Sequence, residues 1–322
     1  MGVGCFFCSA QANEPFFKKN DVIALVGGED MVAMSEYGYL ELLLQRALPD
    51  YHLKFRDLAW EGDTVFEQRR DLNFPPLEAQ LDQVGATVVI CQFGQMESLG
   101  KSGRRSAEES EVSKEEIAEF VAAYEKLIVR MSGGGKRNIA MIFPAALGDS
   151  QSWDRWGNAA SARRMNELQD KLADFEAYRK ASEAVATKHY VLFVDLFFMT
   201  IDDGAIQYDG VHLGEKGQRA AATWVAPALT HCGSLVSEVM FSTKPAVEPL
   251  LNVIRAKNRL WFNYWRVENW AFLAGDRTEQ PSSRDHLDRN RRWFPAEREK
   301  FLPLIETKEQ EIWALAAKLA TP

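Results

Sequence analysis

Two side chains near residue 210 are spaced for proton transfer. In Tyr208-Asp209-Gly210-Val211-His212-Leu213 an aspartate precedes a histidine by three positions, on a glycine-bearing turn followed by Gly214, Lys216 and Gly217. A carboxylate at that spacing can hold one ring nitrogen and fix the tautomer, leaving the other nitrogen to act as a general base. Such a base needs a nucleophile, and in a chain of alternating strands and helices its place is the end of the first strand. There the sequence reads Val26-Gly27-Gly28-Glu29-Asp30, without serine, cysteine or threonine. Glu29 and Asp30 are the side chains that fall in the nucleophile's place. The next hydroxyl, Ser35, falls in or beside the helix that follows.

The elements that must position these residues follow from hydrophobic periodicity. Short apolar runs at 22–26, 52–58, 87–93, 138–143 and 190–196 read as strands, those that are continuously apolar as buried parallel ones. Helical spacing of apolar residues marks 37–48, 77–84, 115–131, 159–187 and 215–229, with Gly133-Gly134-Gly135 closing the third of these. The alternation predicts an α/β fold, a parallel sheet covered on both faces. Ligand sites in such sheets lie at the carboxyl ends of the strands. The unusual loops at 27–30, 60–64 and 94–97 all fall at such ends, and the turn carrying Asp209 and His212 joins them.

After about residue 245 the pattern becomes helical, at 250–270 and 297–320, with a polar stretch at 277–288 between. Trp261, Phe262, Tyr264, Trp265 and Trp270 are spaced as a helix face that packs on a core. The expected organisation is a tail over 1–20, a main domain over 21–240 and a helical extension over 241–322. The charged stretch 101–113 reads as a mobile loop.

A net charge of −8 excludes nonspecific binding to nucleic acid or to an anionic membrane. No run approaches the roughly 18 apolar residues of a membrane span. Cys5 and Cys8 form a lone C-x-x-C without a second pair, so no metal site is expected; Cys91 lies in a strand, and Cys232 follows a helix. Ala10-Gln11-Ala12 has the small-residue pattern of a cleavage site, but no basic segment precedes it. A remnant export signal and a plain N-terminal tail both remain open, and with them an exported or a cytoplasmic location.

Taken in order, these loops resemble the four blocks of the SGNH/GDSL hydrolase superfamily, over roughly residues 21–229. The last block is met by Asp209 and His212. Trp60-Glu61-Gly62-Asp63-Thr64 is similar to the Trp-Ser-Gly-Asp-Thr of one branch and places the oxyanion glycine at Gly62. In Phe93-Gly94-Gln95-Met96-Glu97 the glycine is kept as Gly94, Met96 stands where an asparagine is usual, and Gln95 is the adjacent amide. In the first block, Gly28 is followed by Glu29, or after a shift of one by Asp30, where the family has its serine. An alternative alignment, with Gly62-Asp63-Thr64 as the nucleophile turn, loses the order of the blocks.

The resemblance implies a three-layer α/β/α, flavodoxin-like fold and no cofactor. It also implies hydrolysis of acyl esters, often acetyl groups on carbohydrates, with His212 as base and Asp209 orienting it. The C-terminal helices resemble an extension carried by some large bacterial branches. With the serine absent, conventional esterase activity is expected to be low. The remaining routes are a water activated by His212 with Glu29 or Asp30 assisting, or attack by the carboxylate itself. The rival expectation is a noncatalytic module that binds a glycan between Gly62, Gln95 and a loop bearing Trp153 and Trp156.

Overall fold

A computed structural model describes residues 16–99, 112–146, 171–199, 204–207, 209–230 and 247–320. Five strands, β1 (Val22–Gly27), β2 (Lys54–Asp57), β3 (Val88–Gln92), β4 (Asn138–Phe143) and β5 (Leu192–Asp195), form one sheet in the order β2-β1-β3-β4-β5. Every pairing is parallel. This is the flavodoxin-like order, in which the chain reverses direction across the sheet between β1 and β3.

Alternation along the strands sends side chains to two separate cores. Ala24, Val26, Val89, Cys91, Met141 and Phe143 face one layer, covered by α3 (Leu77–Gln83), α5 (Lys114–Ser132) and α6 (Leu172–His189). Ile23, Leu25, Val88, Ile90, Ala140 and Ile142 face the other, covered by α1 (Glu29–Tyr37), α2 (Tyr39–Ala47) and α7 (Glu215–Thr230). Both faces are buried, which is why the strands read as continuous apolar runs. Cys91 is fully buried beside Tyr124, and burial pushes its thiol up to about 12. It is an inert core side chain.

Three boundaries differ from the sequence reading. The first helix begins at Glu29 rather than near 37, so Glu29 and Asp30 open α1 instead of lying in a turn. Two acidic residues in the first turn suit the positive end of the helix dipole. Gly38, at φ 71°, then separates α1 from α2. Residues 95–99, expected as loop, form the short helix α4 (Gln95–Leu99). The C-terminal helices are also more divided than their periodicity suggests: α8 (Glu248–Trp265), α9 (Trp270–Leu273), α10 (Trp293–Glu299) and α11 (Phe301–Ala320). Residues 101–111 and 159–170, the segment with Ala10-Gln11-Ala12, and Cys5, Cys8, Cys232, Trp153 and Trp156 lie outside the described residues. Among the described residues, no helix is long and apolar enough to cross a membrane.

The C-terminal helices join the first core and form a third apolar cluster with α2. Trp261, Tyr264 and Trp265 of α8 are buried in the first layer with Ile305 of α11. Leu250 and Ile254 pack with Leu42 of α2 and with Ile312 and Ala316 of α11. Polar ties run through the same junction. Lys257 Nζ donates to both carboxylate oxygens of Glu41, at 2.9 and 2.8 Å, with both residues buried. Arg56 pairs with Glu309, Trp261 Nε1 donates to the Asp57 carbonyl at 2.8 Å, and Asn258 donates to the Ser35 carbonyl at 2.7 Å.

Candidate active site

The turn before α7 brings Asp209 and His212 together. His212 Nδ1 lies 2.6 Å from Asp209 Oδ2, while Asp209 Oδ1 accepts the amides of Val211 at 2.9 Å and His212 at 3.1 Å. Burial works against ionisation of Asp209, but the His212 bond and the two amides outweigh it and hold the carboxyl at about 2. The Asp209 bond in turn raises the His212 imidazole above its ordinary range, against partial burial and with the charges of Asp30, Asp209 and Glu29 adding to it. An imidazole with Nδ1 engaged and Nε2 open can exchange a proton with a bound group.

Glu29 and Asp30 are adjacent in sequence but differently placed. Asp30 is buried, and its Oδ1 accepts the Leu213 amide at 2.9 Å. Its Oδ2 accepts from Gln95 Nε2 at 3.3 Å, and its carbonyl accepts from Gln218 Nε2 at 3.0 Å. Asp30 therefore joins the first turn of α1 to the residue after His212, to α4 and to α7. Burial raises its carboxyl to about 6 despite the Leu213 amide and the charge of His212. Glu29 is only partly buried, and among the described residues no side-chain hydrogen bond engages it. Its charge reaches His212, but no direct hydrogen bond joins His212 to Glu29 or Asp30.

The strand ends set this geometry. Gly27 has φ 149°, and a Cβ there would lie 2.5 Å from the Gln92 carbonyl, so only glycine lets β1 pass β3 at this point. Gly28 then caps α1 without any side-chain cap; the Met31 amide donates back to the Gly28 carbonyl at 3.0 Å, and no side chain caps the amides of Glu29 and Asp30.

The loop after β2 is held from both sides. Two guanidinium groups contact the Trp60 ring, that of Arg70 4.5 Å from its centroid and that of Arg266 at 4.2 Å. Arg70 also grips Asp63 with two bonds, of 2.6 and 2.7 Å, and Arg266 grips Glu61 with bonds of 3.1 and 2.6 Å. The clamp leaves Gly62 exposed at the turn, with nothing within 4 Å of a built Cβ. Asp63 is buried and committed to Arg70, and Thr64 Oγ1 accepts the Glu67 amide at 3.2 Å. Ser35 is buried within α1 against α8.

Several donors that the resemblance would assign to an oxyanion are already engaged. The Gly94 amide donates to Glu97 Oε2 at 2.8 Å, and the other Glu97 oxygen accepts the Val65 amide at 2.7 Å. Gln95 Nε2 is shared between Asp30 and the Val211 carbonyl, the latter at 2.9 Å. Met96 is partly exposed beside them and offers no donor. A small cavity opens here, of about 10 Å³, lined among others by Gly28, Asp30, Gln92, Gln95, Met96 and Glu97.

Two residues of this cavity were not singled out from sequence. Glu97 is buried, and burial raises its carboxyl despite the two amides it accepts. Gln92 is the only polar side chain of β3, buried with Nε2 unpartnered. An amide at the end of an otherwise apolar strand was the signal that could have found it. Among the described residues, no group of three His, Cys, Asp or Glu side chains is placed to hold a metal ion. His52 stacks on Trp313, and His286 is exposed near Asp285, both away from this site.

Compared with known proteins, the chain matches no family model and no curated protein. Among solved structures it is similar to BT4096, a gut microbial diltiazem-metabolizing enzyme, at 10% identity and a TM-score of 0.57, over 94% of this chain and 95% of that one. That likeness spans the C-terminal helices as well as the sheet. A catalytic mutant of Axe2, an acetylxylan esterase from Geobacillus stearothermophilus, matches at 15% identity and a TM-score of 0.45, over 66% of this chain and 95% of that one. A candidate SGNH hydrolase from Slackia heliotrinireducens matches at 15% identity and a TM-score of 0.42, over 66% and 100%. The likeness at a TM-score of 0.57 supports the fold alone, a three-layer α/β/α arrangement on a parallel sheet.

Proposed function

We propose that this protein is a divergent hydrolase of small-molecule esters or acylated carbohydrates in which water, rather than a side-chain hydroxyl, attacks the acyl carbon. The observation that carries this reading is the His212–Asp209 pair at 2.6 Å, at the carboxyl end of the sheet and beside two carboxylates where the nucleophile would stand. An aspartate held near 2 and an imidazole raised by it form a proton-transfer pair. The amides at the uncapped start of α1 and at Gly62 are the donors that remain for the carbonyl oxygen.

Without a covalent acyl-enzyme, the acceleration left to such a site is on the order of 10³–10⁴-fold over water. The test is hydrolysis of a panel of acetyl and longer acyl esters by wild type and His212→Ala. Slow turnover above the uncatalysed rate that disappears in His212→Ala supports the reading. Fast turnover of the kind a serine esterase gives would mean that the nucleophile lies elsewhere.

The second reading, a noncatalytic module that binds a glycan or another polar ligand, is favoured by the engaged Gly94 amide and Gln95 side chain. Ligand binding that persists in His212→Ala, with no turnover of any ester, selects it.

A further inference from the structure

Gln92 ends β3 after Val88, Val89, Ile90 and Cys91, and its side chain is 95% buried, with 5% exposed. Its Nε2 has no hydrogen-bond partner among the described residues. A buried donor left unmade costs about 1–3 kcal/mol, so a partner is called for. Gln92 lines the cavity described above, whose volume of about 10 Å³ is on the scale of a single water.

The chemistry of the lining selects the same occupant. Asp30, Glu97 and Asp63 all contribute carboxyl-bearing residues to the cavity. An acyl oxygen gathering negative charge would only accept hydrogen bonds and would meet these acids. A water can accept from Gln92 Nε2 and donate to Asp30, whose oxygens each keep a lone pair beyond the bonds to Leu213 and Gln95.

Resting on the hydrolase reading above, we propose that this cavity holds a single water between the Gln92 amide and the Asp30 carboxylate, and that this water is the nucleophile of the site. Its oxygen forms the new bond to the acyl carbon, and one of its protons passes to Asp30. The bond to the leaving alcohol then breaks, and the departing oxygen takes a proton from His212 Nε2. Through solvent, Asp30 then returns its proton to His212. Asp30 is thus the base and His212 the acid: the water donates to the buried Asp30 carboxylate, while Asp209 holds His212 Nδ1 and leaves Nε2 to face the leaving group. Burial, the Leu213 amide, His212, Gln95 and Asp209 set the Asp30 charge; Glu97 on α4 and Asp63 on the β2 loop line the same cavity, and Glu29 precedes Asp30 on its own helix.

A crystal structure of the wild-type protein at about 1.5 Å resolution or better, where ordered water is well defined, tests the site directly. The expected result is one water within hydrogen-bond distance of the Gln92 amide and an Asp30 oxygen. A dry cavity overturns the proposal. Gln92→Met, checked for an unchanged melting profile, should lower kcat on acyl esters by about 10²-fold while leaving KM within a factor of about two, because only the proton-transfer geometry is lost. Should that variant unfold, Gln92→Asn serves, with the same loss of kcat expected. An occupied cavity with kcat unchanged in the variant also overturns it. The failures are distinguishable: an occupied cavity in a protein that hydrolyses no ester removes the hydrolase reading, whereas a dry cavity in an active protein removes this proposal alone.

Discussion

Asp30 Oδ1 accepts the Leu213 amide at 2.9 Å, tying the first turn of α1 to the residue that follows His212. The two ends of the candidate site, 183 residues apart in sequence, are therefore joined through one buried carboxylate. Glu29, one position earlier, carries no such duty.

That asymmetry predicts different costs for the two acids. Asp30→Ala leaves the Leu213 amide without its buried acceptor and one Gln95 bond unmade, so it should destabilise the fold by about 2–3 kcal/mol. Glu29→Ala removes a partly exposed side chain with no hydrogen bond and should stay within about 0.5 kcal/mol of wild type. Urea unfolding, with the m-value held constant, measures both. Equal effects would show that Asp30 is not the tie described here.

Glu29 also stands at the family's serine position if the first block is aligned without a shift. Glu29→Ser should therefore create a hydroxyl at the start of α1, within the field of His212. Hydrolysis of a chromogenic acetyl ester is expected to rise by about 10-fold or more, since a side-chain nucleophile whose proton His212 can take splits the reaction into two easier steps, a route distinct from the direct water attack in which His212 is the acid. The gain should vanish when His212→Ala is added. No gain in a folded Glu29→Ser protein would place the nucleophile position at Asp30.

The parallel sheet was legible because both faces are buried, giving five apolar runs with helical spacers, while its strand order was implied only by the family resemblance. The pairing of Asp209 with His212 was legible because turn chemistry and spacing are local. The commitments of Gly94, Gln95 and Asp30 were not, because each depends on a partner that only the tertiary fold supplies, and single-residue identity does not reveal whether an amide is free. The start of α1 was missed because Gly27-Gly28 reads as a turn, while the helix begins immediately after it with two acids.

The titrations give a pH signature with definite signs. Asp30 is raised to about 6, from about 3.9 when unfolded, so between these values the native state binds the extra proton. Its contribution is therefore lost as pH rises from about 4 to about 6, amounting to roughly 3 kcal/mol. Asp209 runs the other way: its contribution is present above about 4 and is lost as pH falls toward about 2. The raised His212 contributes fully below about 6.5 and loses that contribution as pH climbs through its higher native value. Asp30→Asn should remove the slope between pH 4 and 6 in denaturation midpoints. Asp209→Asn should lower the His212 titration point followed by NMR of its ring protons. An unmoved His212 would mean that Asp209 does not govern its charge.

The Trp60 clamp predicts that the C-terminal helices govern the Gly62 loop. Arg266, at the end of α8, both stacks on Trp60 and pairs with Glu61. Arg266→Ala should speed amide hydrogen exchange across residues 60–64, because local opening then breaks fewer contacts. Arg266→Lys keeps the charge but not the planar fork and should recover only part of the protection. Exchange unchanged in both variants would show that Arg70 alone holds the loop.

The same junction holds a fully buried ion pair, and its response to substitution distinguishes specificity from stability. Lys257 is completely buried against Glu41, whose carboxyl is raised by burial even with the ammonium beside it. Lys257→Met strands that carboxyl in an apolar setting and should cost about 3–5 kcal/mol. Glu41→Leu combined with Lys257→Met removes both charges at similar volume, and such replacements are often neutral or stabilising by about 1–4 kcal/mol. The double variant should therefore unfold at a higher urea concentration than Lys257→Met alone. If the two variants are equally destabilised, the cost comes from lost packing between α2 and α8 rather than from the uncompensated charge. The neighbouring pair Arg56–Glu309 would then be the tie that sets the position of α11 against the sheet edge.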